Sequence, residues 1–207
     1  MHFRQGCVNG TQTCDTTYML TTWRNISLVA VVLLVAQAVV LYWFGQPLIC
    51  ECDYVKIWEG NINSAGMSQH LSDWYSFSHI IHGMIFYAFL RLVFPRMSIG
   101  QRILLAMGIE IAWEIAENTP IVIEAYRQQA LARGYVGDSI INSVLDTIMM
   151  MIGFVLSWRL PGWLIVTLAI IMEIGVAYII HDNLTLNVLG FIHQFEFITA
   201  WQEQVMH

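Results

Sequence analysis

The chain has 207 residues, 57% of them hydrophobic and 12% charged, with a formal net charge of −6 and a mean hydropathy of +0.59. A soluble domain carries about 25% charged residues, and several apolar runs here reach the roughly 18 residues that cross a bilayer core, so an ordinary soluble domain is excluded. The few Lys and Arg residues are scattered, which excludes a nucleic-acid surface.

The fold class this predicts is all-α: a polytopic transmembrane helix bundle of five spans plus a C-terminal interfacial or partly inserted helix. Residues 1–23 are polar and expected to be loosely ordered, with Met19 a second candidate start. Residues 24–207 then read as a single membrane-embedded domain. The first span, 26–44, is broken only by Ser27 and Gln37 and stopped by Gly45-Gln46-Pro47. It is longer than the apolar part of a signal peptide and no small-residue cleavage site follows it, so it reads as a retained span. A polar connection follows, with Glu51, Asp53, Glu59 and Asp73 against Lys56. The remaining spans are expected at 74–94, 99–118, 139–158 and 163–180, punctuated by Pro95, Pro120, Arg159-Leu160-Pro161 and His181-Asp182-Asn183. Residues 184–201 mix apolar and polar side chains and read as an interfacial or partly inserted helix.

Basic residues set the orientation. An alternating path places Arg4, Arg24, Arg91, Arg96, Arg102 and Arg159 on one side, which becomes the cytoplasmic face of a bacterial inner membrane, with the N-terminus inside. Cys50 and Cys52 then face an oxidising space, and Cys7 and Cys14 do not. Cys50 and Cys52 are expected to be too close for an easy mutual disulfide and to be unpaired or externally paired thiols. A soft-metal or redox role for Cys-Glu-Cys is the alternative.

With this topology the intramembrane polar residues gather at the outer side. His79 and His82 share a helix face at i, i+3. Glu110, Glu114 and Glu117 follow at i, i+4, i+7, and Asp138, Asn142 and Asp146 at i, i+4, i+8. His181, Asp182 and Asn183 close the last span, with Glu173 about 12 Å deeper at 1.5 Å per residue. His70 and Asp73 stand just ahead of the second span, as part of the mouth or as solvated loop residues. A buried carboxylate costs at least about 2.5 kcal/mol, and no Lys or Arg lies nearby to neutralise these acids. They must pair with the histidines, take up protons or bind a cation. Imidazole and carboxylate donors suit Zn, Fe or Mn, and facing helices of a bundle are a known way to present them. The metal ligands expected are His79, His82, Glu114, Glu117 and Asp146, with Glu114, Glu117, Asp138 and Asn142 as acid/base or substrate-contacting groups. The competing reading makes the same residues hydrogen-bond partners, and Asp138 the cap of its helix.

The chain resembles a family of small, uncharacterised bacterial inner-membrane proteins over about 49–201. The resemblance rests on C-E-C-D-Y-V-K-I-W at 50–58, S-Q-H-L-S-D-W-Y at 68–75, S-H-I-I-H-G at 78–83, A-W-E-I-A-E-N-T-P at 112–120, G-D-S-I-I-N-S-V-L-D-T at 137–147 and D-N-L-T-L-N at 182–187. It implies a polytopic helical fold and no particular reaction; Asp53 stands where that family usually has glycine.

Two functions compete. One is a metal-dependent membrane enzyme, a hydrolase or an oxidising di-iron variant, acting from the outer face on a lipid or another amphiphile. The other is a non-catalytic accessory subunit or assembly factor of a larger membrane complex, docked against other subunits and binding a pigment, quinone, lipid or ion. Transport is disfavoured, because the polar path stops halfway and no inverted repeat is visible.

Overall fold

A computed structural model describes residues 16–206. Its helices are α1 (Thr16–Trp43), α2 (Ser76–Val93), α3 (Ile99–Glu117), α4 (Pro120–Arg127), α5 (Ile140–Arg159), α6 (Gly162–Ile180), α7 (Leu184–Ile192) and α8 (Glu196–Gln202), with 3-10 turns at Ala130–Ala132 and Glu203–Met206. The only β pairing among the described residues is an isolated bridge between Glu59 and Asp73.

Among the described residues, four segments are long and apolar enough to cross a membrane: Trp23–Trp43, α2, α5 and α6. The chain is an all-α, multi-pass membrane protein. The expected third span, α3, has the length, but Arg102, Glu110, Glu114 and Glu117 put four charges into its 19 residues, and it is not among the four. α1 begins at Thr16, inside the stretch expected to be loose; 1–15, with Cys7 and Cys14, lie outside the described residues. The C-terminal stretch forms two short helices, α7 and α8, and neither is long enough to span.

Local chemistry sets the helix ends. Ser98 and Gln101 form a reciprocal capping box at α3. At α5 the cap is Ser139, whose Oγ accepts from the Asn142 amide at 3.3 Å; Asp138, the cap in the competing reading, accepts instead from Asn118 and Tyr135. α4, in a stretch expected to be loop, starts with Pro120 in its first turn, where the missing N–H costs nothing. α6 ends at His181 in the left-handed region, φ 58°, which reverses the chain so that α7 returns beside α6.

α2 and α5 make the closest helix pair, and two glycines explain it. A Cβ on Gly83 would lie 1.9 Å from the Met150 carbonyl oxygen, and one on Gly153 would lie 1.9 Å from that of Ile80. Only bare Cα atoms allow backbones this close. Below the crossing, Tyr87, Leu90, Ala106, Met107, Met150 and Phe154 form the apolar core. Above it, Gln37 is fully buried. It donates to Ser143 Oγ at 2.9 Å and accepts from Thr147 Oγ1 at 3.0 Å, so the residue that looked like a break in the first span fastens α1 to α5.

The connection between α1 and α2 folds over this end of the bundle. Amides of Ser139, Ile140 and Ile141 donate to the carbonyls of Ser68, Pro47 and Leu48. Contrary to expectation, Cys50 and Cys52 are bonded to each other, with Cα atoms 5.1 Å apart, inside the usual disulfide range. A turn follows directly: the Asp53 amide donates to the Cys50 carbonyl, and Asp53 has φ 62°, a region that aspartate tolerates.

Candidate functional site

The N-terminal halves of α2 and α5 and the C-terminal half of α3 meet at the polar end. The rings of His79 and His82 lie edge to face, 5.2 Å apart. Glu110 serves both: its Oε1 is 2.6 Å from His79 Nδ1, and both its oxygens are 3.2 Å from His82 Nδ1. A carboxylate only accepts, so each Nδ1 carries the hydrogen of these bonds. His79 Nε2 lies 3.8 Å from Asp146 Oδ2, and Asp146 Oδ1 accepts from Ser76 Oγ at 3.0 Å.

One turn along α3, Glu114 Oε2 accepts from Ser143 Oγ at 2.6 Å. Its Oε1 sits 3.3 Å from His79 Nδ1, whose hydrogen goes to the nearer Glu110, and this buried oxygen has no hydrogen-bond partner. Two groups of potential ligand atoms result, His79–His82–Glu110 and Glu114–Glu117–Asp138, each with its atoms within 4.8 Å of one another.

Beside them lies a cavity of about 650 Å³. Its polar lining includes His79, His82, Glu117, Asp138, Asp146 and Asp182, and its apolar lining includes Phe86, Ile109, Trp113, Val188 and Phe191. Three tyrosines also line it, each bonded to a carboxylate. Tyr75 donates to Asp182 at 3.0 Å and Tyr135 to Asp138 at 2.8 Å, and Tyr126 bonds Glu117. Burial pushes the Asp138 carboxyl up, against the hydrogen bonds from Asn118 and Tyr135 that hold it down. Burial likewise pushes Asp182 up to about 6. Burial and the neighbouring Asp182 raise Tyr75 well above its ordinary value, so it remains a donor.

A family profile described as a protein of unknown function (DUF2585) matches residues 41–204. The chain belongs to this family. Similar proteins include the UPF0314 protein of Rhizobium etli (strain CIAT 652), 51% identical over 172 residues that cover 83% of this chain and 88% of that one. The UPF0314 protein of Sphingopyxis alaskensis is 46% identical, covering 84% of this chain and 93% of its own length, and that of Brucella anthropi is 43% identical, covering 87% and 91%. No solved structure matches the chain. The DUF2585 description carries no reaction, so the chemistry rests on the geometry.

Not every residue singled out in the sequence reaches the cavity. Asn142 donates to the His70 carbonyl at 2.9 Å and tethers the connection to α5. His70 packs beside Cys50 and Cys52. Asp73 accepts from the amides of Ser68 and Tyr75 at 2.9 and 2.8 Å, and burial raises its carboxyl. Glu173 accepts from the amides of Leu184 and Thr185, both at 3.2 Å, and from the Thr185 hydroxyl at 2.6 Å, which caps α7. His181 stacks on Trp201 with ring centroids 4.3 Å apart, and its Nδ1 donates to the Trp201 carbonyl at 2.7 Å. Conversely, the three tyrosines, Ser143 and Asn118 were missed. Only Asn118 carried a signal, sitting one residue beyond Glu117 in E-N-T-P.

Proposed function

We propose that this protein is a metal-dependent hydrolase of the bacterial inner membrane, with its His/carboxylate site at the outer side and a lipid or other amphiphile as substrate. The observation that supports it is one cavity of about 650 Å³ in which ligand-type side chains and an apolar wall adjoin. That combination suits a molecule with a polar reacting group and a hydrocarbon tail. The outer placement rests on the distribution of Arg residues.

The donors fit Zn, Fe or Mn, and the unpartnered Glu114 Oε1 is an acceptor that a cation would satisfy. His79, His82 and Glu110, whose ligand atoms converge within 4.8 Å, would hold one ion, with Asp146 on the Nε2 side of His79 to orient its ring. Glu114, Glu117 and Asp138 are the second set of ligands or the acid/base groups. A bound ion would polarise a substrate oxygen and acidify water. The chain supplies the rest. Asp138, whose carboxyl burial pushes up, accepts from the Tyr135 hydroxyl at the cavity wall. Phe86, Ile109, Val188 and Phe191 take the tail and exclude water.

The test is elemental analysis of the detergent-purified protein beside a His79→Ala, Glu114→Ala double variant. Near-stoichiometric Zn, Fe or Mn in the parent and its loss in an equally helical variant is the expected result. A metal-free parent overturns the reading and leaves the cavity as a docking site of an accessory subunit.

A further inference from the structure

A second set of donors lies in the connection between α1 and α2, away from the cavity. The sulfurs of Cys50 and Cys52 and one ring nitrogen of His70 all lie within 4.8 Å of one another. Cys50 and His70 are 6% and 1% exposed, whereas Cys52 is open to solvent. The His70 ring is fixed in place: it stacks on Tyr54 at 5.3 Å, and its Nδ1 accepts a long 3.4 Å bond from the Lys56 amide. Its Nε2 is buried without a hydrogen-bond partner, and the Glu59 carboxylate stands 3.9 Å away. The Cys52 amide points at Cys50 Sγ, 3.2 Å away. A buried imidazole with an unsatisfied nitrogen is a costly structural element. Beside two sulfurs it is an ordinary element of a soft-metal site.

We propose that the Cys50–Cys52 disulfide locks a soft-metal site: once a dithiol reduces it, both thiolates and His70 bind one d¹⁰ cation, Zn²⁺ or Cu⁺. The step balances. The dithiol donates two electrons and two hydrogens and becomes a disulfide, while the Cys50–Cys52 bond breaks to give two thiols. A Zn²⁺ ion then displaces both protons. The Cys52 amide stabilises the Cys50 thiolate. Three protein ligands leave a fourth position for water or a partner's donor, and the exposed Cys52 gives the entry path. This site shares no residue with the His/carboxylate groups of the hydrolase reading.

The experiment uses the full chain in a Cys7→Ser, Cys14→Ser background, so that the only thiols come from this pair. The protein is reduced with a phosphine, freed of reductant and titrated with Co²⁺ beside the disulfide form. The expected result is a thiolate-to-cobalt band in the near ultraviolet that saturates at one equivalent in the reduced form and is missing from the disulfide form. The His/carboxylate centre cannot produce that band, so the two readings fail separately. Affinity should fall at least about tenfold in His70→Ala. A reduced chain without the band, or His70→Ala binding as tightly as the parent, overturns the proposal.

Discussion

α2, α3 and α5 build two unlike halves of one bundle. In one half Tyr87, Leu90, Met107, Met150 and Phe154 pack against each other. In the other, His79, Glu110, Glu114, Ser143 and Asp146 are buried just as deeply. The apolar half is held by contact, and almost any shape-filling side chain would serve it. The polar half is held by pairing: an unpaired buried donor or acceptor costs about 1–3 kcal/mol, and hydrogen bonds from Ser76, Ser143, Asn118 and Tyr135 meet most of that demand, with Glu114 Oε1 left unpartnered. One half tolerates change in chemistry and the other tolerates change in volume.

The hinge between the halves is the place to break both. In Gly83→Ala the new methyl meets the Met150 carbonyl oxygen at 1.9 Å and the Phe154 amide nitrogen at 2.6 Å, and neither backbone atom can swing away. The expected cost exceeds the roughly 1–3 kcal/mol of ordinary overpacking, read as loss of a monodisperse, protease-resistant species in detergent. Phe154→Ala breaks the apolar half alone. Phe154 is 0% exposed, so truncation should cost about 3–5 kcal/mol in thermal unfolding, with metal content unchanged. The polar half is probed by pH. Burial raises the Asp182 carboxyl from 3.8 to about 6, so folding favours its protonated form. That contribution is complete below the unfolded value and is lost as pH rises through about 6; it amounts to about 3 kcal/mol. A Tm profile from about pH 4 to 8 should fall across this window, and Asp182→Asn should flatten it.

The sequence declared whatever depends on composition or spacing along one helix. Apolar runs between prolines located α2, α5 and α6, and the i, i+4, i+7 spacing set Glu110, Glu114 and Glu117 on one face of α3. What it hid depends on chain reversals and on partners distant in sequence. Asn142 shares its spacing with Asp138 and Asp146, but nothing in that spacing says that the carbonyl of His70 lies over it. The disulfide joins two cysteines whose spacing gave no sign of pairing, and the cavity tyrosines lie in α4 and in loops, where no period betrays a buried hydroxyl. The polar helix α3 illustrates the remaining limit: charges that exclude it from a hydropathy count are the ones the fold gathers inward.

The carboxylate of Glu173 binds the first amides of α7, while its own backbone carbonyl accepts from Asn183 at 3.1 Å. α6 and the start of α7 are therefore tied together through one residue. α7 supplies Leu184, Val188 and Phe191 to the cavity, whereas α6 carries Val166, Ile170, Ile171 and Ile174 on its exposed flank. One side wall of the cavity is thus joined, through a single glutamate, to the helix that carries this exposed apolar flank.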